Sequence, residues 1–86
     1  MIKVDVYVTL KKEILDTQGL VIKKAIPQIG FDNINEVRFG KYIQLEIDDR
    51  GKSDQQIKEE VEYLADKLLS NPIIEDFRYD INKNGE

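Results

Sequence analysis

The side chains here that could act as acids, bases or ligands are carboxylates and amines, because the 86-residue chain holds neither histidine nor cysteine. Without imidazole there is no Ser-His-Asp or Cys-His nucleophile system and no histidine zinc site. Without thiol there is no disulfide, thiolate metal site or cysteine nucleophile. Two carboxylate pairs remain, Asp48-Asp49 and Glu75-Asp76. Paired carboxylates can share acid and base work or hold a divalent cation, but only where further ligands converge on them. Asp48-Asp49 lies in a charged loop, and adjacent residues on a strand point to opposite faces, so both pairs read better as solvated charge. The glycines at 19, 30, 40 and 51 are dispersed singletons, unlike the clustered glycines that cradle a phosphate ahead of a helix.

Two cations stand out for their setting. Arg38 and Lys41 flank Phe39-Gly40, where the alternation of Val37, Phe39, Ile43, Leu45 and Ile47 is broken in a way that reads as a hairpin turn. At an exposed tip they could grip carboxylates or phosphates on a neighbour, or simply be solvated turn charges. An RNA-binding sheet is disfavoured: Lys41-Tyr42-Ile43-Gln44-Leu45-Glu46 carries a single tyrosine and ends acidic. The net charge of -4, from 13 basic and 17 acidic residues, also opposes a phosphate backbone.

The elements that must position these groups are legible from periodicity. Ile2, Val4, Val6, Val8 and Leu10 alternate with Lys3, Asp5, Tyr7, Thr9 and Lys11, the signature of a strand with one buried face. Asp16 offers a carboxylate cap to a helix whose apolar side is Val21, Ile22, Ala25, Ile26 and Ile29; Pro27 bends or ends its last turn and Gly30 closes it in a left-handed cap. Gly19, inside the first turn, costs about 1 kcal/mol relative to alanine, so it implies close approach by another part of the chain. Ser53 with Gln56 forms a capping box for a second helix with the stripe Ile57, Val61, Leu64, Ala65 and Leu68. Asn71 is expected to take a left-handed cap and Pro72 to stop this helix, before Phe77, Tyr79 and Ile81 alternate in a last strand.

The order strand, helix, strand, strand, helix, strand predicts an α+β fold of ferredoxin-like βαββαβ type, an antiparallel sheet with two helices on one face. Residues 1–82 are expected to form one domain and residues 83–86 a flexible tail. The second face would carry Lys3, Asp5, Tyr7, Thr9, Tyr42, Gln44 and Glu46, a mixture of tyrosine and charge suited to a wet subunit interface. So short a chain gains only marginal stability from its own core, and self-association would add to it. The first residues alternate and carry charge, so no signal peptide fits, and no apolar run nears transmembrane length. A cytoplasmic location is the simplest expectation.

Three strings at the joints carry more than their local roles: Leu15-Asp16-Thr17-Gln18-Gly19, Val37-Arg38-Phe39-Gly40-Lys41 and Asn71-Pro72-Ile73-Ile74-Glu75. In order and spacing they resemble the PurS family, the small subunit of phosphoribosylformylglycinamidine synthase, across nearly the whole chain. The family's first string usually has proline where Thr17 stands, which would preset the first helical turn without moving the cap. The string from Lys67 to Glu75 is similar to the family's second-helix exit, with Ser70 where alanine is common. The resemblance implies a non-catalytic subunit that bridges a glutaminase subunit and a large synthetase subunit. It implies homo-oligomers, dimer or tetramer, formed through the sheets; charge and the lack of a long apolar run have already pointed away from a nucleic-acid or membrane partner. It also implies no cofactor on this chain, while the complete complex uses ATP and Mg. Gln18, Arg38, Lys41, Asn71 and Glu75, from the matching strings, are the subunit-docking candidates. The alternative is an ACT-like small-molecule-sensing domain or an oligomeric adaptor.

Overall fold

Alternation builds the centre of the molecule. In the computed structural model, which describes residues 1–83, strand β1 (Ile2–Leu10) has neighbours on both sides. Strand β2 (Gly40–Ile47) pairs antiparallel with it from Ile2 opposite Ile47 to Thr9 opposite Gly40. Strand β3 (Glu75–Lys83) pairs antiparallel on the other side from Ile2 opposite Lys83 to Leu10 opposite Glu75. Opposed residues share a face. Val4 therefore lines up with Leu45 and Ile81, and Val6 with Ile43 and Tyr79, on the face that is buried.

Helix α2 (Asp54–Leu64) covers that face, with Ile57, Val61 and the following Ala65 closing a core with Ile2, Val4, Val6 and Val8. The expected capping box starts it: Ser53 Oγ accepts from the Gln56 N–H at 3.2 Å and Gln56 Oε1 from the Ser53 N–H at 2.9 Å. Tyr79 on β3 donates to Glu62 on α2 at 2.6 Å, and burial together with the Glu62 carboxylate pushes its phenol up to about 12. The exit departs from the expected stripe. Ala65–Leu69 is a widened π turn, closed by the Ser70 N–H donating to the Ala65 carbonyl at 2.9 Å. A wider turn shifts the phase of the side chains beyond it. Leu68 is accordingly 74% exposed and Leu69 packs on the core in its place.

Helix α1 (Thr17–Ala25) continues into a 3-10 turn over Ile26–Ile29 with Pro27 in its first positions, and Gly30 at φ 101° ends it. Both helices stand on one face of the antiparallel sheet, giving the α+β, ferredoxin-like arrangement. They use that face unequally. Gly19 is the one buried residue of α1, whereas Val21 and Ile29 are 68% and 74% exposed. Phe31, Ile34 and Phe39 also lie open, so α1 and the segment after it form an arm. The radius of gyration of 16.6 Å is well above the roughly 12 Å expected of a compact chain of this length.

The expected hairpin over Val37–Ile47 does not form, so among the described residues the sheet has three strands and not four. Residues 37–39, just before Gly40, form no strand, and Gly40 itself belongs to β2. It is not a turn residue in a left-handed conformation but the first residue of β2, where a Cβ would collide with the Val8 carbonyl oxygen and lie 2.9 Å from Thr9 Cγ2. At the other end β3 runs through Lys83, and the rest of the expected tail, residues 84–86, lies outside the described residues.

Ile57 and Lys58 are neighbours on α2 with opposite fates, the one 1% exposed and the other in the exposed class. Ile57→Ala should lower the free energy of unfolding by about 2–5 kcal/mol in urea titrations, against within about 0.5 kcal/mol for Lys58→Ala.

Candidate docking site

The three strings, far apart in sequence, meet at one end of the sheet. Asp16 begins the assembly. It caps α1 as expected, Oδ1 accepting from the Gly19 N–H at 2.9 Å. Its second oxygen, Oδ2, accepts from the Phe39 N–H at 2.8 Å, joining the first string to the second. The Phe39 and Gly19 N–H donors, aided by nearby Arg38, hold this carboxyl below the usual carboxylate range against the opposing effect of burial. Gly19 shows why the string needs glycine: a Cβ there would lie 2.5 Å from Asp16 Oδ2 and 2.7 Å from the Val37 carbonyl oxygen. The close approach inferred from a helical glycine is that of residues 37–39.

Arg38 donates from Nη2 to the Leu10 carbonyl, fastening the same segment to the end of β1. Beyond Gly40, Lys41 lies opposite Val8 and so on the core face, beyond the cover of α2. Its amine reaches the Glu75 carboxylate at 3.6 Å and the Leu69 carbonyl at 3.4 Å. Glu75, 16% exposed in its side chain, also accepts the Asn71 N–H at 2.7 Å. The third string is thereby tied to the second.

Asn71 does not adopt the expected left-handed cap. Its side-chain oxygen accepts from the Ile73 N–H at 3.1 Å and its carbonyl from the N–H groups of Ile74 and Glu75 at 3.1 and 2.7 Å. The π turn has already redirected the chain at Ser70, so asparagine makes an Asx turn, the other conformation its short acceptor favours. Glu75 and its neighbour Asp76 face opposite ways, Asp76 pairing with Lys11 at 2.7 Å; that contact raises the Lys11 amine above its ordinary range.

Between these ties lies an open groove of about 200 Å³, with Leu10, Asp16, Gln18, Phe39, Lys41 and Glu75 among its walls. Of the five docking candidates, Gln18, Lys41 and Glu75 line it, Asn71 is bonded to Glu75, and Arg38 precedes Phe39 at its rim. Gln18, Arg38, Lys41 and Asn71 are exposed. What sequence reasoning missed is the second bond of Asp16 and the π turn that offers the Leu69 carbonyl to Lys41. The first had a signal in Gly19; the second had none in periodicity.

The opposite face of the sheet carries the expected mixture of tyrosine and charge. Tyr7 and Tyr42 stack with centroids 5.2 Å apart, and the Arg78 guanidinium lies 4.0 Å over Tyr7. Asp5 accepts from the Tyr42 hydroxyl at 2.8 Å, which raises that phenol, and from the Asn82 amide at 3.4 Å. Gln44 donates to the Tyr42 oxygen at 2.8 Å. Asp5, Tyr42 and Gln44 thus bond to one another within the face.

Comparison with known proteins gives the chain a family and a shared fold. The family model described as PurS, phosphoribosylformylglycinamidine (FGAM) synthase, matches residues 3–83. The phosphoribosylformylglycinamidine synthase subunit PurS of Bacillus subtilis is 40% identical over 96% of this chain and 95% of its own length; a B. subtilis PurS crystal structure superposes with a TM-score of 0.83, covering 96% of this chain and all (100%) of that one. The PurS subunit of Methanocaldococcus jannaschii is 37% identical over 96% of this chain and 98% of its own. Its crystal structure gives a TM-score of 0.84 at 36% identity, covering 96% and 98% of the two chains. A chain of the PurLQS structure from Thermotoga maritima, 22% identical, shares the fold with a TM-score of 0.82 over 93% of this chain and 95% of that one. With the family match spanning both helices and all three strands, and relatives matched along almost their whole length, the chain belongs to the PurS family of FGAM synthase subunits.

Proposed function

We propose that this chain is the non-catalytic small subunit of FGAM synthase in de novo purine biosynthesis. In this role it bridges the glutaminase and synthetase subunits, so that ammonia released from glutamine reaches ATP-activated formylglycinamide ribonucleotide. The observation that carries this reading is the meeting of the three family-like strings around one groove at the end of the sheet. Gln18 and Arg38 present exposed donors there. Lys41, Asn71 and Glu75 keep the groove's far wall in shape through their internal bonds while leaving Lys41 and Asn71 open to a partner. The physical need for a bridge is plain: free ammonia would diffuse away or be protonated, whereas docked subunits can hold two sites in register and exclude water.

ATP and Mg belong to the large subunit in this reading. The glycines nearest the groove are already filled from within, Gly19 against the Val37 carbonyl and Gly40 against the Val8 carbonyl, so neither loop offers a phosphate a cradle. The carboxylates are engaged in internal bonds too, Asp16 with two N–H groups and Glu75 with Lys41 and Asn71. A cytoplasmic location follows from the same reading, since the reaction's substrates are small soluble metabolites.

Self-association completes the proposal. An arm whose Val21, Ile29 and Phe31 are 68%, 74% and 55% exposed leaves apolar area in water, and a second copy of the chain would cover it. Sedimentation at micromolar concentration should give a dimer or tetramer, and Val21→Asp with Ile29→Asp should yield monomer with the strand signal retained; wild-type monomer would end this part of the proposal.

The functional test is glutamine-dependent formation of formylglycinamidine ribonucleotide by the matching glutaminase and synthetase subunits. Activity should depend on this chain with glutamine and not with ammonia. Arg38→Glu combined with Lys41→Glu should raise the small-subunit concentration needed, and an unshifted titration would remove these two residues from the docking surface.

A further inference from the structure

Residues 17–39, the whole arm, leave the sheet and return to it at one point. At that point a single carboxylate holds both ends: Asp16 Oδ1 accepts from Gly19 at the start of α1, and Oδ2 from Phe39 just before β2. The loop so closed spans 23 residues. From this geometry we propose that Asp16 is the positioning residue of the docking end, a clasp that sets the pose of the arm on the sheet and with it the placement of Gln18 in the groove that Lys41 also lines. The assignment rests on the docking role proposed above.

The chemistry selects aspartate for this work. Both donors are N–H groups, so both oxygens must accept, and each bond to the carboxylate is charge-assisted. Asparagine caps a helix about as well as aspartate, yet its side chain has one accepting oxygen, and its amide nitrogen would confront the second N–H. A plain cap therefore tolerates asparagine, and the clasp does not. Gly19 supports the distinction independently, because the room a Cβ would need is taken by Asp16 Oδ2 and the Val37 carbonyl, the two sides of the clasp. Arg38 adds a tether to the Leu10 carbonyl, so the returning segment is held to β1 as well.

Two readouts on Asp16→Asn test the proposal. In the isolated full chain, the Phe39 amide should exchange with solvent faster than in the wild type while the Gly19 amide stays protected by the retained cap. In the reconstituted synthase, the small-subunit concentration giving half-maximal glutamine-dependent activity should rise about tenfold, the loss of one charge-assisted bond read as affinity, with the plateau kept. Gly19→Ala, which opens the clasp from the other side, should shift the same titration in the same direction. Unchanged Phe39 exchange would overturn the clasp. Faster exchange with an unshifted titration would overturn the positioning role. Should wild-type chain itself have no effect on glutamine-dependent activity, the docking reading fails first and the positioning role falls with it, a result distinct from a failure confined to the Asp16 variant.

Discussion

Everything in this molecule depends on β1 being paired along both edges while only one of its faces is covered. Its alternating valines, Val4, Val6 and Val8, are fully buried because β2 and β3 supply the flanking rows and α2 closes the layer. The buried hydrophobic core is small, seven residues in all among those described. A core of that size stabilises a chain only modestly, and its limits fix where the rest can go. One helix is enough to roof three strands, so α1, on the same face, buries only Gly19 and is held by polar ties instead of apolar burial.

Sequence periodicity read the buried layer well because burial and alternation are the same constraint in a strand. Ile2, Val4, Val6 and Val8 of β1 and Ile43, Leu45 and Ile47 of β2 pack as expected, whereas Leu10 and Phe39 line the groove; Ile57, Val61 and Ala65 hold the stripe of α2. Failures cluster where a residue's reason lies in a distant part of the chain. Gly40 looks like a turn glycine in one dimension, but the collision it avoids is with Val8 on the neighbouring strand. Leu68 and Leu69 exchange places because a π turn adds a residue to one circuit, which no count of 3.6 anticipates. The apolar side of α1 is a real stripe, but this chain's own sheet does not cover it.

The candidate site was legible as three strings and not as one place. Capping chemistry identified Asp16, and the cost of a glycine in a first helical turn identified Gly19, so the first string declared a close neighbour without naming it. That neighbour is the Val37–Phe39 segment, and the pairing of Lys41 with Glu75 brings in the third string. Such contacts between charged and polar groups leave no periodic trace, because nothing in the pattern of a strand or helix marks which carboxylate a lysine will meet.

The two unpartnered features of the molecule differ in kind, and the difference bears on how subunits would assemble. Polar groups at the groove and on the outer sheet face are largely satisfied within the chain: Asp5 by Tyr42 and Asn82, Glu75 by Asn71 and Lys41, Asp16 by two backbone donors. A partner meeting the groove would find its carboxylates already engaged, so recognition there would rest on shape together with the exposed donors of Gln18, Arg38 and Lys41. The arm is the reverse case, apolar and without internal cover. Burying it releases water without demanding an oriented partner, which suits a permanent contact, whereas the preformed polar groove suits a reversible one. An Asp16 clasp at the root of the arm would couple the two, because any shift of the arm against its own partner moves Gln18 against Lys41.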